Sequence, residues 1–211
     1  MAGGTIGTEF DSSRLLATFV NISVPGVYVD VGAGDPTGMY NNSTIFRASG
    51  WKIISIEPNP RMCNDFRNLG YEVCQYAAYA RDLGKTTFEV HNSHGGMGGS
   101  CLNSADFKDS PANIQKLIDC GYITLIETEA LTLNTILARH YPEVNHINIL
   151  DVDVEYYELQ VLAGLDFKKY SPDVMIIENL GNTTKYHDYY KQIGYKLVAT
   201  AGINDILMSD E

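Results

Sequence analysis

Uninterrupted apolar runs are missing from this chain. No stretch of its 211 residues approaches the roughly 20 apolar residues that a membrane-spanning helix needs, so insertion into a bilayer is not expected. Positive charge is scarce as well. Lys and Arg number 15 against 26 Asp and Glu, which gives a net charge of −11 and a pI near 4.8. Such a surface repels phosphate backbones, and the basic residues stand singly apart from the Lys168-Lys169 pair, so nucleic acid is not an expected partner. Cysteine is sparse and unpatterned. Cys63, Cys74, Cys101 and Cys120 show no CxxC spacing and read as reduced, structural thiols. The N-terminus lacks the basic start and apolar core of a secretory signal, which makes the cytoplasm the expected compartment.

What remains is ordinary globular material. A hydrophobic fraction of 45% and a charged fraction of 19% suit a single domain over residues 1–211. Residues 1–20 are set apart as an N-terminal extension, helical in part or without fixed structure, and self-association is left open.

Apolar runs alternate with helix-like segments, the pattern of an α/β fold whose mostly parallel sheet carries helices on both faces. Strands are expected at Val27–Val31, Ile53–Glu57, Glu72–Tyr76, Ile147–Asp153 and Val174–Glu178. Helices are expected at Ser43–Ala48, Met62–Leu69, Ala112–Cys120, Leu131–His140 and Glu155–Leu165, with Pro60 and Ser110-Pro111 as start signals. The chain then breaks rhythm. Tyr195–Ala199 and Asp205–Met208 leave no room for a helix between them and predict a C-terminal antiparallel hairpin at the sheet edge.

The most informative segment is Val27-Tyr28-Val29-Asp30-Val31-Gly32-Ala33-Gly34. It reads as a buried strand ending in a turn whose glycines admit positive φ and let backbone approach a ligand. Asp30 decides which ligand. A carboxylate two residues before the first glycine opposes a pyrophosphate but suits a cation, which favours S-adenosylmethionine, with its ammonium and sulfonium, over NAD. The Gly32-x-Gly34-x-x-x-Gly38 spacing lies close enough to the dinucleotide pattern that an NAD-linked oxidoreductase stays as the alternative, beside a cofactor-binding protein with a decayed acceptor site.

Glu57 stands 19 residues after Gly38, close to the spacing of about 20 at which an acidic residue meets a ribose diol. Glu57-Pro58 is therefore assigned to the ribose, and the small Ala77-Ala78 to the adenine. Asp30, Gly32, Ala33, Gly34 and Asp35 complete the cofactor set.

A second cluster gathers further along. Asp151-Val152-Asp153-Val154-Glu155-Tyr156-Tyr157-Glu158 puts several carboxylates at a strand end, where open α/β sheets bind ligands. Asp151 falls within a buried strand and needs a partner or a metal to stay charged. Asp153, Glu178 and Asn179 offer hard oxygen ligands for a divalent cation such as Mg²⁺. In the metal-free alternative Asp153, Glu155 or His94 takes the acceptor's proton directly. His94 belongs to His91-Asn92-Ser93-His94-Gly95-Gly96-Met97-Gly98-Gly99-Ser100, a glycine-rich stretch that reads as a surface connection or an active-site lid.

With these residues in place, the chain resembles FkbM-type S-adenosylmethionine-dependent methyltransferases from about Val27 to about Met208. The resemblance rests on Val29–Ala33, Gly50-Trp51, Ile56-Glu57-Pro58, Asp153-Val154-Glu155-Tyr156-Tyr157-Glu158 followed by Leu159–Gly164, and Gly194-Tyr195. It implies a Rossmann-like class I methyltransferase sheet and O-methylation of a hydroxyl on a sugar or small-molecule acceptor. Two positions depart from the pattern. Similar sequences carry Lys where this chain has Asp151, and Gly where it has Tyr156. The first change makes the pocket more negative and the second adds bulk beside it.

Overall fold

The computed structural model describes residues 12–38, 41–92 and 111–210. His94 and Cys101 lie outside them. The first elements are α1 (Ser12–Phe19), β1 (Val27–Val31), α2 (Thr44–Ala48), β2 (Lys52–Ile56), α3 (Pro60–Asn68), β3 (Val73–Cys74), β4 (Ala77–Ala78) and β5 (Gly84–His91). They are followed by α4 (Pro111–Asp119), β6 (Ile123–Leu131), α5 (Leu133–His140), β7 (Ile149–Val152), α6 (Glu158–Ala163), α7 (Phe167–Tyr170), β8 (Val174–Glu178), α8 (Thr184–Gln192), β9 (Tyr195–Ala201) and β10 (Asn204–Ser209).

Seven strands form one sheet in the order β3-β2-β1-β7-β8-β10-β9. The first five are parallel, and β10 runs antiparallel between β8 and β9. The expected terminal hairpin is there, with its last strand inserted inward. Alternation along the strands divides the core in two. Val29, Val31, Leu150, Val152, Met175 and Ile177 face α5, α6 and α8 through Ile136, Leu137, Val161, Leu162 and Tyr190. Tyr28, Ile149, Val174, Ile176 and Ile206 face Leu16 of α1, Phe46 of α2 and Trp51. Part of the N-terminal extension is thus a helix that buries Leu16 completely.

Local chemistry moves several boundaries. Asn59 caps α3 by accepting from the Arg61 amide and puts Pro60 in the first turn, so the helix starts two residues before the expected Met62. Thr132 accepts from the Thr135 amide and starts α5 at Leu133, because Leu131 still pairs in β6. The strand expected at Glu72–Tyr76 shrinks to Val73–Cys74. Ala77-Ala78 leaves that sheet and pairs with Ala130-Leu131 in a separate three-stranded sheet of order β4-β6-β5. The sequence reading missed this sheet and helices α7 and α8.

Candidate active site

The parallel topology brings the carboxyl ends of β2, β1, β7 and β8 into one row. The turn after β1 is built around a missing side chain. Gly32 has φ +80°, and a β-carbon there would lie 1.8 Å from the carbonyl oxygen of Asp153. Only glycine lets the end of β1 pack onto the end of β7. The Gly32 and Ala33 amides donate to the Ile56 carbonyl at 2.9 and 3.2 Å, which spends them on structure. Gly34, at φ +56°, turns its amide to the Glu57 carboxylate at 3.0 Å.

Glu57 receives a second amide, from Asn59 at 2.7 Å, so each of its carboxylate oxygens is held by backbone. Burial pushes its pKa up to about 7 against the lowering effect of those two amides, and Asp30 adds to the rise. Pro58 is buried beside it, and Cys63 donates its thiol to the Glu57 carbonyl at 3.0 Å. Burial pushes that thiol up to about 12, which fits the structural role expected of it. Cys74 is buried as well, whereas Cys120 is exposed.

Asp30 lies on the Tyr28 face of β1, opposite Ser55 of β2 and Asp151 of β7. Burial raises its pKa to about 6, against a hydrogen bond from Ser43 and the charge of Arg47. Its Oδ2 is buried with no hydrogen-bond partner among the described residues. Asp151 accepts from the Tyr28 hydroxyl at 2.7 Å and from the Asn42 amide at 3.2 Å, both on Oδ2. Burial and then Asp30 lift its pKa to about 7. Asp35 folds onto its own turn, accepting from the Thr37 amide and hydroxyl at 2.8 Å. Asn41 ties that turn to α2, donating to the Ala33 carbonyl and accepting from Ser43. Ala77 and Ala78 are buried, but in the second sheet.

The β7 and β8 ends differ in kind. Asp153 follows β7 and is exposed. Withdrawal from water, then Glu178, Asp151, Glu155 and Glu158, raise its pKa well above the ordinary carboxylate range. Glu155 and Tyr156 both take positive φ, +56° and +77°, and the Tyr156 ring is 61% exposed. The helix expected from Glu155 therefore begins only at Glu158. Glu158 acts as a staple for this turn, accepting from the Val154 amide at 3.3 Å, the Tyr156 amide at 3.0 Å and the Tyr186 hydroxyl at 2.5 Å. The sequence reading missed Tyr186 along with α8.

The metal expectation finds no support. Asn179 spends its carbonyl oxygen on the Thr183 amide at 3.2 Å and its nitrogen on Asp205 at 2.8 Å, which makes it a cap and a tie to β10. Among the described residues no group of three His, Cys, Asp or Glu side chains has the arrangement to hold an ion. His94 lies outside the described residues. No described helix is long and apolar enough to cross a membrane. A surface depression over Lys85, Thr87, Leu125 and Glu127 belongs to the second sheet, apart from these strand ends.

No curated protein matches the sequence. Among the solved structures that it resembles is the crystal structure of methyltransferase FkbM from Methylobacillus flagellatus KT, with a TM-score of 0.55 at 11% identity. The likeness covers 96% of this chain and 48% of that one, so the chain spans about half the length of this structural relative and shares its fold. The model of the methyltransferase FkbM domain matches residues 30–197, from the carboxylate before the glycine turn to the first strand of the hairpin. The chain belongs to the FkbM methyltransferase family.

Proposed function

We propose that this protein is an S-adenosylmethionine-dependent methyltransferase acting on a hydroxyl of a sugar or small metabolite. The observation that carries the reading is the Glu57 carboxylate, buried beside the glycine turn and held by the amides of Gly34 and Asn59. Two backbone donors fix its plane. Each oxygen keeps a lone pair for one hydroxyl of a ribose diol. Asp30 supports the same donor, since a buried carboxylate oxygen without a partner calls for a cation and would oppose a pyrophosphate. Family membership leaves the oxidoreductase alternative without support.

In this reading Asp30 and the Gly32–Asp35 turn hold the amino-acid end, Glu57 and Pro58 the ribose, and Ala77-Ala78 the adenine surroundings. When bound, S-adenosylmethionine supplies an electrophilic methyl group. Asp153 accepts the proton of the attacking hydroxyl, because the protein packed around it, and then four other carboxylates, raise its basicity while the residue stays exposed. Glu155 is the neighbouring candidate for that proton, and His94 stays a proposal of the sequence alone. Rate comes from orientation, which the stapled Val154–Tyr156 turn provides.

The test is titration calorimetry with S-adenosylhomocysteine. Glu57→Ala is expected to weaken binding by tenfold or more, on the order of a lost charge-assisted pair. Unchanged affinity removes Glu57 from the donor site.

A further inference from the structure

We propose that Asp151 joins Asp30 to form a two-carboxylate seat for the α-ammonium of the methyl donor. The inference rests on the donor reading above and assigns a residue that the reading does not use. Asp30 and Asp151 are register neighbours on adjacent parallel strands, both facing the α2 side of the sheet and 7% and 6% exposed. Two buried carboxylates side by side repel each other, and a pair of this kind needs a positive charge or a proton to settle it. Among the described residues no cation forms an ion pair with either carboxylate, and Arg47 is the one whose charge reaches Asp30. Among the described residues Asp151 receives only neutral donors, Tyr28 and Asn42, and both go to Oδ2. Arg47 bears on Asp30 electrostatically but makes no ion pair with it among the described residues; its guanidinium donates to the Ser55 hydroxyl at 3.3 Å and lies 4.2 Å from the Tyr71 ring centroid. Asp30 Oδ2 meanwhile has no hydrogen-bond partner among the described residues.

The place of the pair identifies the cation. Two residues beyond Asp30 lies Gly32, and two residues beyond Asp151 lies Asp153, whose carbonyl packs where a Gly32 β-carbon would be. Both carboxylates therefore sit behind the turn assigned to the amino-acid end of the donor. An ammonium arriving there gains two anions where a single Asp30 would offer one.

Two nucleosides separate the possibilities. S-adenosylhomocysteine carries the ammonium, whereas 5′-methylthioadenosine keeps the adenosine and thioether but lacks the amino-acid end. Calorimetry at pH 8 is expected to show Asp151→Asn binding S-adenosylhomocysteine about tenfold more weakly than wild type, with methylthioadenosine affinity within twofold. Asp30→Asn is expected to show the same selectivity. A thermal melt of Asp151→Asn at or above the wild-type temperature confirms that it folds, as removal of a like charge predicts. An unchanged S-adenosylhomocysteine affinity in that folded variant overturns the proposal, since the pair then shares a proton instead. An equal loss for both ligands overturns it too, because the substitution then disturbs the adenosine half. Failure of the wild type to bind either nucleoside overturns the donor reading, and the seat with it.

Discussion

The strand ends of β1 and β2 and those of β7 and β8 lie in one sheet, yet they are built by opposite means. At β1 and β2 the chain works through backbone: a glycine that admits no β-carbon, amides spent on Ile56, and a carboxylate gripped by two more amides. At β7 and β8 it works through side chains: Asp153 crowded by acids, Tyr156 thrust into solvent, and a turn stapled by Glu158 and Tyr186. The contrast matches the task proposed for each end. In the proposed reading the donor is held by main chain, which substitutions elsewhere leave alone, and the acceptor is met by side chains, which change one at a time.

Breaking the backbone half is expected to have the largest effect. Gly32→Ala places a methyl 1.8 Å from the Asp153 carbonyl oxygen at a φ of +80°. The combined overpacking and left-handed strain cost about 2–5 kcal/mol, to be read from urea unfolding. A loss under about 0.5 kcal/mol would show that the two halves are not in contact as described.

The next effect sharpens the contrast through pH. Asp30, Asp151 and Glu57 have pKa values of about 6, 7 and 7, each raised by burial above its ordinary value. The folded protein therefore holds more protons than the unfolded chain from about pH 4 to 7, and stability falls as pH rises through that window. This is the reverse of ordinary salt-bridged carboxylates. Urea midpoints at pH 5 and pH 8 check it, and Glu57→Gln should remove part of the slope; a rise from pH 5 to pH 8 would contradict the burial of these groups.

The smallest expected effect lies on the acceptor side. Tyr156→Gly relieves a φ of +77° that a non-glycine residue occupies at a cost. After the added freedom of the unfolded chain is deducted, a gain of about 0.5–1 kcal/mol remains. S-adenosylhomocysteine affinity should stay unchanged, in contrast to Glu57→Ala. If donor affinity drops as well, the two halves are coupled through this turn.

The ends of β1 and β2 were legible in the sequence because their requirements are local. A strand, a carboxylate and a glycine turn occupy one short segment, and Glu57 follows at a spacing that the crossover dictates. The ends of β7 and β8 were only partly legible. Asp153 and Glu155 could be read from the motif, but the staple needed Tyr186, which lies on a helix too polar in pattern to announce itself. Asn179 looked like a metal ligand because its partner Asp205, on β10, is set by a tertiary contact. The second sheet escaped for a related reason: β5 and β6 pair across a wide separation in sequence, and Ala77-Ala78 changes sheets within two residues of β3.

Asp205 gives the site a place in the order of synthesis. It lies on β10, the strand that follows all the others in the chain, and there receives the Asn179 amide at 2.8 Å and the Tyr190 hydroxyl at 3.1 Å. The end of β8 can pair with β7 and receive the Thr183 amide early, but its tie to Asp205 forms only once β10 has been made. As β1, β2 and β7 leave the ribosome they can already assemble the donor side, in the N-to-C order in which chains emerge. What waits for β10 is the closure of the β8 end, where the Asn179 side chain and the Tyr190 hydroxyl meet Asp205. In the proposed reading, a nascent chain stalled before Asn204 would already carry the groups for the donor while the end of β8 still lacked that tie.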